Sequence, residues 1–236
     1  MNTAADAPDN QVGERRRVVW ASGTAIVFVM VLGGLLVATG AFVGRLHASA
    51  AARREAREML HQVHLPLPEF HLIDQNGAPV TRETLEGNVW VVSCFFTRCS
   101  TVCPGLIRSV KEMAERLRAL EGVKFLTVTV DPTHDRPEVL KEYARIVGAD
   151  AERWRFVTGE KAEVYRLVRE GLKLSAAETP REAQMQGADP VTHSTRLVLI
   201  DRHAVVRGYA DSKDPWQMSR LRHAIDLLIT GGAEGP

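Results

Sequence analysis

The chain has 236 residues, with 30 Lys and Arg against 29 Asp and Glu and a formal net charge of +1. Hydrophobic residues make up 45% and charged residues 25%, a globular balance that excludes a disordered chain and a polytopic membrane protein. Near-neutral charge gives no electrostatic case for nucleic acid, and three cysteines are too few for a disulfide scaffold and cannot all pair within one chain.

Residues 1–17 are polar and end in Arg15-Arg16-Arg17, and we read them as a cytoplasmic tail. No charged residue occurs over the 27 positions from Val18 to Gly44. As a helix that run would be about 40 Å long, against about 30 Å of bilayer hydrocarbon. It is expected to be a transmembrane anchor, longer than the apolar region of a cleavable signal peptide. The small residues Ala48-Ser49-Ala50-Ala51 leave cleavage open as the alternative. Three arginines before the span, against Arg45 and the more distant Arg53, Arg54 and Arg57 after it, orient the N-terminus inward. Residues 46–236 would then lie outside, in a periplasm, with the anchor in a bacterial inner membrane.

Residues 45–66 read as a charged helical stalk, which Leu65-Pro66-Leu67-Pro68 terminates. The folded domain is expected over 67–230. Phe70–Ile73 and Pro79–Thr81 flank Asn76-Gly77, a hairpin signal. Val89–Phe96 is a continuous apolar run that suits a strand buried on both faces. Leu106, Val110, Met113, Leu117 and Leu120 fall on one face of a helix over 104–120. Val123–Val130 is the next strand, and Pro137 opens a second helix. A strand at Arg155–Thr158, a helix over 160–171, a hairpin of Thr195–Ile200 with Ala204–Tyr209, and a helix over Pro215–Ile229 complete the domain. Residues 231–236 read as a flexible tail. Alternating strands and helices predict an α/β fold with a central mixed sheet. Between Leu174 and Thr192 neither periodicity holds, and a loop of this length tends to be functional or disordered.

Cys99 and Cys103 lie in the connection from the buried strand to the helix over 104–120. Such connections sit at the carboxyl edge of parallel strands, where open α/β sheets bind ligands. A helix N-terminus also favours negative charge on sulfur. Two packing cysteines or a static disulfide are the bland alternatives, although a structural disulfide normally closes a longer loop. His193 ends the long loop and precedes a buried strand, which raises it above the other seven histidines. Cys94, mid-strand, reads as a core residue. His134 follows a strand, and Met185 in the long loop is a possible soft ligand. Two thiolates and an imidazole would select Cu(I), Cu(II) or Zn. A structural zinc site wants four ligands, whereas three suit copper and leave an open shell for handing the ion on.

Three segments carry a family resemblance: Phe95-Phe96-Thr97-Arg98-Cys99-Ser100-Thr101-Val102-Cys103-Pro104, Thr127-Val128-Thr129-Val130-Asp131-Pro132-Thr133-His134-Asp135-Arg136-Pro137, and Thr192-His193-Ser194 before the strand ending Leu199-Ile200-Asp201. Together they resemble the Sco/SenC family of copper-binding, thioredoxin-fold proteins. The resemblance implies a thioredoxin-like fold with an added hairpin and copper held by Cys99, Cys103 and His193. It also implies a metallochaperone rather than an enzyme, serving the binuclear copper centre of cytochrome c oxidase. Its partner would be the copper-bearing oxidase subunit or another periplasmic copper chaperone. Asp131 and Asp135 match the family's acidic positions without being ligands. One departure is Ser100, where the family often has Pro directly after the first cysteine.

The main alternative is a thiol–disulfide reductase in which Cys99 and Cys103 cycle as a redox pair, keeping the oxidase cysteines reduced. A peroxiredoxin-type peroxidase would want a proline shortly before Thr97, and none is there. A copper or redox sensor would need a partner for its output.

Overall fold

The computed structural model describes residues 11–178 and 191–232. They divide into two compact units, one ending at Ala51 and the other beginning at Ala52. Helix α1 (Gln11–Gln62) supplies all of the described part of the first unit. Among the described residues it is the one helix long and apolar enough to cross a membrane, with a mean hydropathy of 1.4. Its described large apolar side chains, from Val27 to Val43, are exposed.

The second unit is a mixed sheet with helices. Its strands are β1 (Leu65–Pro66), β2 (His71–Asp74), β3 (Pro79–Thr81), β4 (Val89–Phe95), β5 (Val123–Thr129), β6 (Trp154–Thr158), β9 (Arg196–Ile200) and β10 (Val205–Asp211). A separate two-stranded ribbon pairs β7 (Ala176–Glu178) with β8 (Val191–His193). The helices are α2 (Arg82–Leu85), α3 (Cys103–Arg116), α4 (Pro137–Val147), α5 (Lys161–Arg166, continued by a π turn over Leu167–Gly171) and α6 (Pro215–Thr230). The large sheet runs β1-β10-β9-β4-β5-β6-β2-β3. Its centre, β4-β5-β6, is parallel, and every other pairing is antiparallel.

Local chemistry sets these boundaries. All seven residues of β4 are buried, as expected of a parallel strand covered on both faces. The β2–β3 turn closes because the Asp74 carboxylate accepts the Asn76 and Ala78 N–H groups, at 2.8 and 3.0 Å, while Gly77 takes a φ of 78°. Pro137 occupies the first turn of α4, and Gly148 ends the helix in the left-handed region. Asp214 caps α6 by accepting from the Trp216 and Gln217 amides. The Arg153 guanidinium donates to the carbonyls of Leu117, Leu120 and Val123, joining the end of α3 to β5 and β6.

Two sequence expectations need correction. The stalk expected over 45–66 does not stand apart from the domain over its second half. Ala52, Ala56, Met59 and Leu60 form a narrow buried stripe on α1, within the second unit. Arg207 donates to the Leu60 carbonyl at 2.7 Å and pairs with Asp201 at 2.9 Å, and Trp216 donates to Glu55 at 2.9 Å. Strand β1 then adds to the sheet edge on β10. The domain therefore begins at Ala52 rather than at 67. The many charged residues of this segment belong to the exposed faces around the stripe.

The loop expected over 174–192 is structured at both ends. Ala176 pairs with His193, Ala177 with Thr192 and Glu178 with Val191. The segment 179–190, including Met185, lies outside the described residues, as does the end of the tail.

Gly208 shows how tightly the α1 stripe is seated. A Cβ at this position would run into the Met59 sulfur and lie 2.7 Å from its Cγ. Gly208→Ala is expected to cost about 1–3 kcal/mol through overpacking. Met59→Ala in the same chain should recover part of that loss. A double-mutant cycle by denaturant unfolding reads the coupling, and simple additivity would refute it.

Candidate metal centre

The centre is built where β4 hands the chain to α3. Phe95 and Phe96 are fully buried, and a turn follows in which the Cys99 amide donates to the Phe96 carbonyl at 3.2 Å. Cys99 is 7% exposed and Cys103 1%, so Cys99 is the more accessible thiol. The Cys103 amide donates to the Cys99 sulfur at 3.4 Å. A helix N-terminus leaves its first N–H groups without intrahelical acceptors. Val102, the residue at the cap position, supplies no side-chain acceptor, and the Cys99 sulfur takes that place. The Thr101 hydroxyl approaches the same sulfur at 3.8 Å.

Two carboxylates from the β5–α4 connection hold this loop. Asp131 pairs with Arg98 at 2.5 Å, and Arg98 is half exposed. An exposed pair of this kind contributes about 0–1 kcal/mol. Asp135 is fully buried. It accepts the Thr97 amide at 3.0 Å, the Thr97 hydroxyl, and the Thr129 hydroxyl at 2.6 Å. Buried hydrogen bonds to a charged group are worth about 1.5–3 kcal/mol each, so Asp135 dominates. Both acids act on the residues just before Cys99.

Tyr143 of α4 was not singled out by sequence reasoning. Its ring packs on Phe95 at 5.2 Å and on Phe156 at 5.9 Å. Burial pushes its hydroxyl up to about 12, and the acidic groups of Cys103, Cys99 and Asp135 nearby push in the same direction. The available signal was its place on the apolar face of α4, with Leu140 and Ala144.

The third expected site residue, His193, lies in the chain just before β9. Strand β9 runs antiparallel to β4, pairing Trp90 with Ile200 and Val92 with Val198. The start of β9 therefore lies beside the end of β4 that leads into the cysteine loop. His193 ends β8, three residues before Arg196, at which β9 begins. Its side chain lies outside the described residues. Among the described residues no cluster of three or more His, Cys, Asp or Glu side chains is assembled. His134 is exposed in the turn between β5 and α4. Cys94 is a core residue, as the sequence predicted, and burial pushes its thiol up to about 12.

A sheet with a parallel centre, a cysteine pair at a strand-to-helix junction and an added hairpin define a thioredoxin-like protein. The SCO1/SenC family model matches residues 61–226, and the chain belongs to that family. The SCO1 protein homolog of Bacillus subtilis is 29% identical over 133 residues, covering 56% of this chain and 66% of that protein, just under two thirds of its length. A protein of Stutzerimonas stutzeri named for copper binding is 29% identical over 166 residues, covering 69% and 76% of the two chains. A SCO1/SenC family lipoprotein from Bacillus anthracis superposes with a TM-score of 0.60 at 26% identity, covering 70% of this chain and 95% of that one. BsSco, a member of the Sco family of cytochrome c oxidase assembly proteins in which a disulfide switch was identified, superposes with a TM-score of 0.58 at 25% identity over the same shares.

Two outcomes are expected from this geometry. Asp135→Ala leaves the Thr97 amide and Thr129 hydroxyl without their acceptor and should cost about 2–4 kcal/mol, measured by denaturant unfolding. In native protein at about pH 8, iodoacetamide should modify Cys99 while Cys94 reacts only after unfolding, read by peptide mass spectrometry. Modification of native Cys94 at a comparable rate would contradict its burial.

Proposed function

We propose that this chain is a membrane-anchored copper carrier that delivers one copper ion to the binuclear copper centre of cytochrome c oxidase during assembly. The observation that carries this reading is the pair of buried cysteines at the start of α3, Cys99 and Cys103, tied together by the Cys103 amide donating to the Cys99 sulfur. Two soft sulfur donors fit Cu(I), and His193 would supply the third donor. Both thiols give up their protons when the ion binds, so loading depends on pH. Three protein donors leave the ion open to a further ligand from a partner, which suits transfer by ligand exchange. The copper-binding relative and the oxidase-assembly role of BsSco support the same reading.

In this proposal α1 anchors the chain in a bacterial inner membrane, with its N-terminus in the cytoplasm and the second unit in the periplasm. The copper-bearing oxidase subunit, or a second periplasmic copper chaperone, is the partner. A second reading is favoured by the hydrogen bond that holds the Cys103 amide against the Cys99 sulfur and by the disulfide switch of BsSco. The same pair would reduce the cysteines of the oxidase copper site, with a thiolate attacking the target disulfide and Cys99 and Cys103 ending as a disulfide.

An anaerobic Cu(I) titration of the reduced full-length protein in detergent, against a competing chelator, separates the two. The carrier reading expects one ion per chain, abolition of tight binding by Cys99→Ser or Cys103→Ser, and at least about tenfold weakening by His193→Ala. That bound follows because loss of an outer-shell partner alone typically costs 10–100-fold in metal affinity. Binding no tighter than the chelator's, or indifferent to His193, would overturn it and leave the reductase in front.

A further inference from the structure

Between α3 and the start of α6 lies a cavity of about 340 Å³, within the size range of small-molecule sites. Its two walls are joined by the Ser109 hydroxyl, which donates to the Ser212 carbonyl at 3.3 Å. Three cations line it, each from a different segment: Arg116 at the end of α3, Lys213 in the β10–α6 connection and Arg222 on α6. Glu112 is the one acid among the described lining residues. None of the three cations is in an ion pair among the described residues, and Arg222 makes a single long contact, 3.4 Å, to the Ser219 hydroxyl. Arg98, Arg166 and Arg207, by contrast, each meet a carboxylate. The Asp214 carboxylate, next to Lys213, is engaged by the Trp216 and Gln217 amides. A concave site lined by one sign of charge concentrates the opposite ion.

The remaining wall is apolar, built by Met113, Pro215 and Met218. Two thioethers alone would suit a soft metal ion, but three cations beside them repel one. A bare inorganic anion would leave the apolar wall uncovered, whereas an organic anion uses both parts. Arginine is the side chain best matched to phosphate oxygens, through its planar fork of donors.

The neighbourhood also holds a buried group that responds to charge. His223 follows Arg222, is 9% exposed, and its Nδ1 has no hydrogen-bond partner among the described residues. Burial, Arg222 and, from α1, Arg53 hold its pKa below the usual histidine range, against the opposing pull of Asp226. An anion seated beside Arg222 would offset that crowding of positive charge.

We propose that this cavity binds a phosphate ester, with Arg116, Lys213 and Arg222 around the phosphate and Met113, Pro215 and Met218 against the organic part. Neither Cys99 nor Cys103 lines it, and the inference does not depend on the copper reading. Two sources carry this chemistry: a soluble phosphate ester and the headgroup of an anionic phospholipid. The second is available because the domain joins its long apolar helix through the segment carrying Glu55, which accepts from Trp216, the neighbour of Pro215, at 2.9 Å.

The test uses the full-length protein in phosphatidylcholine nanodiscs at constant ionic strength. One probe is glycerol 3-phosphate, titrated in solution and read by calorimetry. The other is phosphatidylglycerol, replacing part of the phosphatidylcholine. In both arms the ring resonance of His223, assigned with His223→Gln, reports occupancy by titrating at higher pH when an anion sits beside Arg222. The double variant Arg116→Gln/Lys213→Gln should weaken binding of glycerol 3-phosphate at least about tenfold and abolish the rise in the His223 titration with either probe. Lys141→Gln/Arg145→Gln, which removes the same charge from α4, should change neither. A response to phosphatidylglycerol alone makes the ligand a lipid headgroup, and a response to glycerol 3-phosphate alone makes it a soluble ester; each supports the site. No response to either probe overturns it, as does a response that survives in Arg116→Gln/Lys213→Gln.

Discussion

A carboxylate sealed from solvent, Asp135, ties the cysteine loop to the end of β5 through Thr97 and Thr129. The loop spans only residues 96–102. It leaves a strand whose neighbours are settled, turns once at Phe96 and enters a helix whose first amide is met by the Cys99 sulfur. Without the Asp135 anchor the distance between the two sulfurs would be set by a short, solvent-facing segment. The half-exposed Arg98–Asp131 pair is too weakly coupled to substitute for it. The geometry on which metal binding or disulfide exchange would rest is therefore held from outside the cysteine loop, by a residue of the β5–α4 connection.

The sheet supplies the rest of the arrangement. Parallel neighbours β4 and β5 bring the cysteine loop and the β5–α4 connection to the same edge. Antiparallel β9 begins at that edge as well, three residues after His193 ends β8. Segments far apart in sequence start or end at one edge because one central strand has a parallel partner on one side and an antiparallel partner on the other.

Much of this was legible in the sequence. The apolar run of β4, the helical spacing in α3 and the turn chemistry at Asn76-Gly77 each depend on local physics, and each appears where the pattern placed it. Cys94 was readable as core because an uninterrupted apolar strand leaves it no route to water. What escaped depends on distant partners. The stripe of Ala52, Ala56, Met59 and Leu60 is too narrow to stand out among arginines and glutamates, and it gains meaning only against Gly208 and Arg207. Strands β7 and β8 are three residues each, below the length at which alternation can be seen. Tyr143 looks like any aromatic on an apolar helix face until the sheet brings Phe95 beside it.

The burial of Cys94 has a consequence for how the chain matures. It lies five residues before Cys99 on the same stretch of backbone, close enough for a non-native bridge to form when an unfolded, flexible chain bends back on itself. Once β4 is paired on both sides, that thiol is neither reachable nor readily ionised. Closure of the sheet therefore acts as a proofreading step for sulfur chemistry. A chain that folds before it meets an oxidant has a single intramolecular pairing left to it, and a chain oxidised too early can trap the wrong one.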